Sequence, residues 1–567
     1  INYSSTWRSI GNVQLDYKIH GLEDLRLNLN LGYDMAESRG TGYNTLGSYA
    51  NLKSGAEDSF SNWRTFNSNT LLEFYANYNK ELGIHRLDVM AGYSWQRNYV
   101  KTQTLRYYNA NRDEFHSSSS TEESRKPYPK EYYLISFFGR LNYSIDSRYL
   151  FTFTVREDAT SRFAKDNRWG FFPSAAFAWN IAQEQFLQDS KALSALKLRL
   201  GWGQTGQQNV GGYYDTMATY KDNELGSYYY FGNQLIIPVT PIGYNADLKW
   251  ETTTSYNVGF DFGFLRDRIT AGLDFYVRET TDMLNYVPVP ALSNLTNYLN
   301  SNIGNMINTG FEFDVNAIAI NTQDWTWSIG GNIAFNRTTI TKLTASANDK
   351  TGVETGGISG GVGNNIQMHQ VGFAPSAFYV YEQVYDQSGH PIEGEYVDRD
   401  GDGRITADDR YFYHKPAADI NIGLNTTLTY KNWTLAASGH GSIGNWVYNN
   451  VASDQEMIGD CWINNFNSNR LNSAAYSLFK KAQYQSDYYV RDASFFKIDN
   501  ITLGYTFPNL YKSEDHGRQL GLNIFATLQN VCTFTKYDGL DPEVFSGIDN
   551  NLYPRPRTYV LGVKLNF

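Results

Sequence analysis

The chain has 567 residues and a formal net charge of -10, an acidic balance that excludes a nucleic-acid partner needing a basic footprint. Mean hydropathy is -0.49, and the sequence holds no unbroken apolar run long enough for a membrane helix. A membrane-spanning sheet stays open, because there hydrophobicity occupies only every second residue.

In chain order, the first clear element is Leu25, Leu27, Leu29, Leu31 and Tyr33, alternating with Arg26, Asn28, Asn30, Gly32 and Asp34. Alternate side chains of a strand face opposite sides, so this run has one oily and one wet face. Tyr256, Val258, Phe260, Phe262 and Phe264 repeat the pattern. After a turn at Leu265–Arg268, so do Ile269, Ala271, Leu273, Phe275 and Val277. Trp325, Trp327, Ile329, Gly331, Ile333 and Phe335 follow, then Leu522, Ile524, Ala526 and Leu528. The chain closes on Tyr559, Leu561, Val563, Leu565 and Phe567, separated mostly by small or polar residues. At roughly 3.3 Å per residue, Tyr559 to Phe567 spans ~26 Å. A tilt of ~40° brings this to ~20 Å, close to the ~25 Å apolar band of an outer-membrane barrel. A soluble sheet can alternate too; recurrence of segments of about ten residues decides for the membrane. The 44 Tyr, 33 Phe and 12 Trp suit membrane interfaces and sugar- or peptide-binding surfaces, being apolar on one side and, for Tyr and Trp, polar on the other.

These templates predict about 17 strands in an all-β, transmembrane antiparallel barrel. Short turns fall near 20–24, 80–83, 146–148, 266–267, 321–324 and 431–432, with somewhat longer ones near 183–192 and 508–518. Long connections fall near 35–66, 99–131, 205–250, 280–308, 338–419, 447–489 and 532–556. Short turns on the periplasmic side and long loops outside is the up-and-down plan. Every long loop precedes a strand pair except the last, which precedes a lone strand. In an even-stranded barrel an odd number of strands must then lie upstream, so residues 1–567 are expected to be the carboxyl-terminal part of a longer barrel. A barrel of ~22 strands, the size whose lumen is plugged, would lack five. The start at Ile1 without a signal peptide agrees with missing upstream sequence. Cys461 and Cys532 make no disulfide framework, and spacing alone cannot pair them.

Within the extracellular segment 384–416, Asp398-Arg399-Asp400-Gly401-Asp402-Gly403-Arg404-Ile405-Thr406-Ala407-Asp408-Asp409 fits the calcium-loop template. Asp398, Asp400 and Asp402 offer carboxylates, Arg404 its carbonyl, Thr406 a direct or water-mediated ligand, and Asp409 the closing carboxylate. Asp in place of the usual Glu weakens the twelfth position, and no flanking helices are evident. The bland alternative is an acidic turn without an ion. A structural calcium would brace the loop. Gly201–Gly206 spells G-x-G-x-x-G but leaves a strand for a loop, so it lacks the helix that a dinucleotide site needs. Gly357–Gly361 spells G-x-S-x-G in a Gly-rich loop with His369 nearest and no partner acid, the wrong context for a nucleophile elbow. The eight His form no H-x-x-x-H pair, so a zinc site is not expected. Tyr213, Tyr214, Tyr228, Tyr229, Tyr230 and Phe231 could stack on a ligand or simply pack their loop.

Several segments carry a family resemblance: Leu198–Gly206 (LRLGWGQTG), Leu248–Thr253 (LKWETT), Asn302–Met306 (NIGNM) and Tyr553–Tyr559 (YPRPRTY). Together with the strand pattern, they make the chain resemble the SusC/RagA-like TonB-dependent outer-membrane transporters of Bacteroidetes. The resemblance implies a 22-strand barrel with an amino-terminal plug, a TonB box and a SusD-like lipoprotein lid. It further implies import of oligosaccharides or peptides driven through TonB, pairing of two barrel–lid units, and no enzymatic step. It also implies that the terminal strand, Tyr559, Leu561, Val563, Leu565 and Phe567, is the barrel-assembly signal. The plug, TonB box and first strands are not in this sequence, so energy coupling is implied by the resemblance alone. The rival readings are a passive outer-membrane pore or adhesin, and an outer-membrane hydrolase, which would need a Ser/His/acid constellation that the sequence does not offer in the right context.

Overall fold

The computed structural model describes residues 2–44, 59–108, 129–188, 190–209, 211–222, 229–236, 238–288, 296, 298–343, 352–360, 363–459, 462–463, 466–467, 469–512, 519–550 and 553–566. Seventeen strands belong to one antiparallel sheet, the number that the alternation predicts, and no helix among the described residues is long and apolar enough to cross a membrane. We number these strands β1 (Asn2–Lys18), β2 (Leu25–Asn44), β3 (Ser59–Leu82), β4 (His85–Tyr108), β5 (Lys130–Ile145), β6 (Tyr149–Thr160), β7 (Trp169–Asn180), β8 (Leu193–Gln207), β9 (Glu251–Phe264), β10 (Ile269–Pro288), β11 (Tyr298–Asn321), β12 (Trp325–Lys342), β13 (Ile420–Tyr430), β14 (Trp433–Ile443), β15 (Phe495–Lys512), β16 (Gln519–Thr535) and β17 (Thr558–Asn566). Several run to 24 residues, far beyond the ten-residue templates. The reason is physical: alternation marks only the part of a strand with one oily face, and these strands continue past it.

The chain divides into two compact units. One comprises Ile1–Phe177, Gly201–Ser255 and Thr280–Asn305, the other Ala178–Leu200, Tyr256–Glu279 and Met306–Phe567. In the first, β1 to β6 pair in sequence, each antiparallel to the next. Two adjacent register rows show how the pleat sorts side chains. Leu15, Leu29, Phe74, Tyr93 and Phe137 stand opposite one another, strand by strand. The next row is Gln14, Asn30, Glu73, Ser94, Ser136 and Asp158. Leu15, Phe74 and Phe137 are exposed, whereas Ser94, Ser136 and Asp158 are buried. A sheet that exposes its apolar row and buries its polar row is built for lipid outside and a polar interior.

In the second unit β12 to β17 pair in the same way, with a bulge at Asp499 of β15, which is left unpaired opposite Ser438 and Gly439 of β14. At their short-turn ends Trp325, Tyr430, Trp433 and Tyr505 are register neighbours. Trp325–Tyr430 and Trp433–Tyr505 ring centroids lie 4.2 and 4.8 Å apart, an aromatic belt of the kind found at membrane interfaces. The polar-face row at the other end reads Ala334, Asn421, Ser442 and Phe495.

The long connections of this unit are folded. Ile366, Phe378, Val380, Tyr448, Ala452, Phe479, Tyr488, Tyr489, Val490 and Ile548 form one buried apolar cluster. They come from three connections far apart in sequence, which share a core of their own instead of hanging as separate loops.

Candidate functional site beneath the long connections

The motif segments turn out to be structural. Gly201–Gly206 lies inside β8, not at a strand-to-loop exit. A Cβ on Gly206 would meet the Phe172 ring at 2.1 Å, so close packing explains that glycine. Phe172 belongs to a buried cluster with Phe163, Leu248 and Trp250. Trp250 meets the two Phe rings edge-on at 5.6 and 5.4 Å and donates its Nε1–H to the Arg168 carbonyl at 3.0 Å. The Asn302 side chain accepts from Lys249 N (3.0 Å) and donates to the carbonyls of Lys249 (2.9 Å) and Asp282 (2.7 Å). Two segments singled out separately in the sequence are thus bonded to each other. Arg199 holds Asp261 at 3.0–3.1 Å and forks onto Asp274 at 2.9–3.0 Å, a bidentate geometry that Lys could not reproduce.

Ser359 accepts a hydrogen bond from Asn450 at 2.7 Å, and His369 Nδ1 accepts one from the Ser376 backbone at 3.0 Å. These two side chains are therefore engaged with other partners. Of the loop aromatics, Tyr213 and Tyr214 contact neighbouring segments. Tyr213 donates to Asn98 at 3.0 Å, and the Arg162 guanidinium lies 4.8 Å from its ring and 4.4 Å from that of Tyr132. Tyr214 accepts from Glu131 N at 3.2 Å. Tyr229, Tyr230 and Phe231 are exposed on a hairpin pairing Tyr229–Phe231 with Gln234–Ile236, and Tyr228 lies outside the described residues. In the terminal strand Tyr559, Leu561, Val563 and Leu565 are exposed and pair with Leu528, Ala526, Ile524 and Leu522; Phe567 and Cys461 lie outside the described residues. Cys532 forms no disulfide among the described residues.

The acidic loop brings together half of its predicted ligands. Carboxylate oxygens of Asp398, Asp400 and Asp409 lie within 4.8 Å of one another. Asp398 accepts from Gly401 N and Gly403 N at 2.7 and 2.8 Å, and both glycines have positive φ, 77° and 79°, a conformation that side-chain-bearing residues rarely adopt. Asp402 is turned to Arg404 N at 2.8 Å. Thr406 caps the short 3₁₀ turn Ala407–Asp409, and Asp409 is fully buried. The N–H groups of Thr406, Arg399 and Asp400 hold the Asp409 carboxyl below its ordinary range, with burial opposing them. The Asp402 N–H favours ionised Asp400, but burial and the adjacent carboxylates outweigh it and push that carboxyl up. Mutually repelling acids around a buried carboxylate are a donor set that a divalent cation fits.

The cavity that sequence reasoning missed lies on the polar face at the long-connection ends of β12, β13 and β14. It has a volume of about 840 Å³, within the range of small-molecule sites. Asn336, Asn421, Ser442 and Asn445 line it, together with Glu543, Phe545 and Arg555 from the last long connection. That connection is pinned by charge. Lys497, 4% exposed, reaches Glu543 at 3.1 Å, and Arg555 pairs with both Glu543 and Asp541. His440 joins through Asp499 at 2.8 Å and Glu543 at 3.7 Å. Burial raises the Glu543 carboxyl, but the Lys497 hydrogen bond and the charges of Lys497, Arg555 and His440 outweigh it, leaving the group below its ordinary range. The only signal in the sequence was position: Asn421 and Ser442 fall on the wet face beside the longest connections.

An exposed apolar face, a buried polar face, an aromatic belt and long folded connections at one end define an outer-membrane β-barrel. Residues 2–531 match the family described as "TonB dependent receptor-like, beta-barrel". TonB-dependent receptor SusC of Bacteroides thetaiotaomicron is 42% identical over 98% of this chain and 56% of its own length. TonB-dependent receptor P3 of Formosa agariphila is 31% identical over 88% of this chain and 52% of its own. Among solved structures, that of the RagAB peptide transporter superposes with a TM-score of 0.80 at 25% identity, covering all of this chain and 62% of that one. The chain belongs to the TonB-dependent receptor β-barrel family, is SusC/RagA-like, and is an outer-membrane protein. It spans about half the length of the curated relatives that it matches.

Proposed function

We propose that the whole protein imports oligosaccharides or peptides across the outer membrane, coupled to TonB and closed by a SusD-like lipoprotein lid. The observation that carries this reading is the 42% identity to SusC along 98% of the chain. The folded connections support it physically: with a shared core, they can form a fixed rim over the polar interior on which a lid can seat. Association of two barrel–lid pairs belongs to the same reading. The test is uptake by cells carrying the full-length protein. Uptake should vanish when tonB is deleted and fall when the lid lipoprotein is removed; uptake indifferent to both would favour a passive pore.

The acidic loop belongs to this reading as a brace. Asp398, Asp400 and Asp409 would hold a calcium ion, with Asp402, Arg404 and Thr406 completing the set only if the loop tightens around it. The ion would supply structural cross-linking and no chemistry. Chelation should raise protease cleavage between residues 396 and 411, and calcium should reverse it. Cleavage unaffected by either would refute the brace.

A further inference from the structure

The outward face of the first unit changes character just above its apolar band. We propose that this change marks a seat for the phosphate of a glycolipid headgroup in the outer leaflet. Only the outer-membrane location is needed for this, not the import reading.

Leu25, Leu27, Leu29, Leu31, Tyr33 and Met35 follow one another on the oily face of β2. At roughly 3.3 Å per residue, Leu25 to Met35 runs ~33 Å along the strand, and a tilt of ~40° leaves ~25 Å, the height of the apolar band. The next outward positions on β2 are Glu37 and Arg39, about 5 and 10 Å higher by the same measure. They lie toward the long connections, hence on the outer side. The headgroup layer adds ~5–8 Å to each side of the hydrocarbon, so these side chains stand level with it.

The register across β1 to β4 is unbroken here. Glu37 stands opposite Trp7 and Phe66, Phe66 opposite Lys101, and Arg39 opposite Arg64. Counted in twos from Leu15, Leu29, Phe74 and Tyr93, all of them fall on the outward face. Arg39 and Arg64 share the single Glu37 carboxylate, Arg64 at 2.7 Å, and their side chains stay 67% and 56% exposed. Lys101 is exposed and forms no ion pair among the described residues. Three cations therefore surround one carboxylate. Like charges placed opposite each other on a sheet repel, and a second anion would relieve them.

Arg97 supplies the contrast. It lies in the row of Tyr33, inside the edge of the band. There it pairs with Glu131 at 2.7 Å, with the rings of Tyr99 and Tyr133 at 5.1 and 5.9 Å. Charge is balanced where the hydrocarbon ends and in surplus just above.

Guanidinium forks suit phosphate oxygens, and a lysine adds a point charge. Ser5 and Trp7 join Glu37 and Arg39 around a groove of about 540 Å³, and Trp7 is 82% exposed. Phe66 meets Tyr99 edge-on at 6.3 Å beside the cations. Aromatic rings at this depth anchor a protein at the interface, and basic side chains beside them recognise anionic headgroups. A lipid brings its phosphate to this height while its acyl chains cover the apolar rows below. An acidic protein partner would have to displace that lipid first.

The test is binding of purified lipid A to the full-length protein in detergent, followed by native mass spectrometry, beside the same lipid with its phosphates removed. We expect the dephosphorylated lipid to bind about tenfold or more weakly. Combining Arg39→Gln, Arg64→Gln and Lys101→Gln should weaken binding of the phosphorylated lipid by a similar factor. Lys18→Gln at the short-turn end should not. Heat-modifiable electrophoretic mobility reports whether the triple variant is folded. Glu37→Gln frees both arginines without removing a cation and should tighten binding. Equal binding of the two lipids, a folded triple variant that binds as the parent does, or weaker binding by Glu37→Gln would each overturn the proposal. Loss of a copurifying lipoprotein from the triple variant with lipid binding unchanged would also overturn it, by assigning this face to a protein partner.

Discussion

Replacing Phe479 by alanine asks whether the long connections are held by a core of their own. Phe479 is 1% exposed, sits in the ten-residue cluster and meets Tyr488 edge-on at 5.9 Å. Its removal forfeits the transfer free energy of a buried ring, leaves a cavity and deletes an aromatic pair, together about 3–5 kcal/mol. At about 1.4 kcal/mol per tenfold, the opening equilibrium of the loop core should rise by roughly two to three and a half orders of magnitude. The cluster joins residues from three connections, so all should loosen together. The assay is amide hydrogen exchange on the purified protein, reading 366–368, 447–458, 487–490 and 547–549 against the strand interiors of β3 and β4. Faster exchange confined to residues next to 479 would refute a shared core. Faster exchange in β3 and β4 as well would refute its independence from the sheet.

Three further outcomes follow from particular contacts. Leu29→Lys, on the exposed apolar row, should cost about 2–4 kcal/mol of barrel stability in lipid, while Asn30→Lys beside it on the polar row should cost much less; equal losses in a urea-refolding titration into vesicles would invert or erase the assigned faces. Asn302→Ala removes three bonds joining Lys249 to Asp282 and should destabilise that junction by roughly 1–3 kcal/mol, seen as faster exchange at 248–251; unchanged exchange there would refute its bracing role. For Glu543, the folded-state carboxyl lies below its ordinary range. A depressed carboxylate contributes stability that is present above the unfolded value of about 4.3 and lost as pH falls through the folded value. The last long connection should therefore stay docked at neutral pH and loosen in acid below about pH 4. Protease sensitivity of 536–556 measured against pH checks this, and Glu543→Gln should flatten the profile.

The faces of the sheet were legible in the sequence because a strand's period is fixed by its backbone: Leu25 to Tyr33 and Tyr559 to Leu565 need no partner to reveal which side is oily. The number of strands followed from the same local rule, and the Asp398–Asp409 spacing announced an acidic turn for the same reason. What each motif was for depended on distant residues. The glycine of Gly206 is explained by Phe172, and Asn302 by Lys249 and Asp282; neither partner can be inferred from spacing. The aromatic run at Tyr213 and Tyr214 could serve a ligand or pack its loop, and spacing could not show that Arg162 and Asn98 contact Tyr213. The cavity went unseen because Asn421, Ser442 and Phe545 are common residue types far apart in the chain. By itself, then, the sequence determined the local quantities of period, length and turn spacing. Only the tertiary structure decided which connections share a core, which charges are already paired and which ring is left uncovered, since each depends on segments brought together by long-range packing.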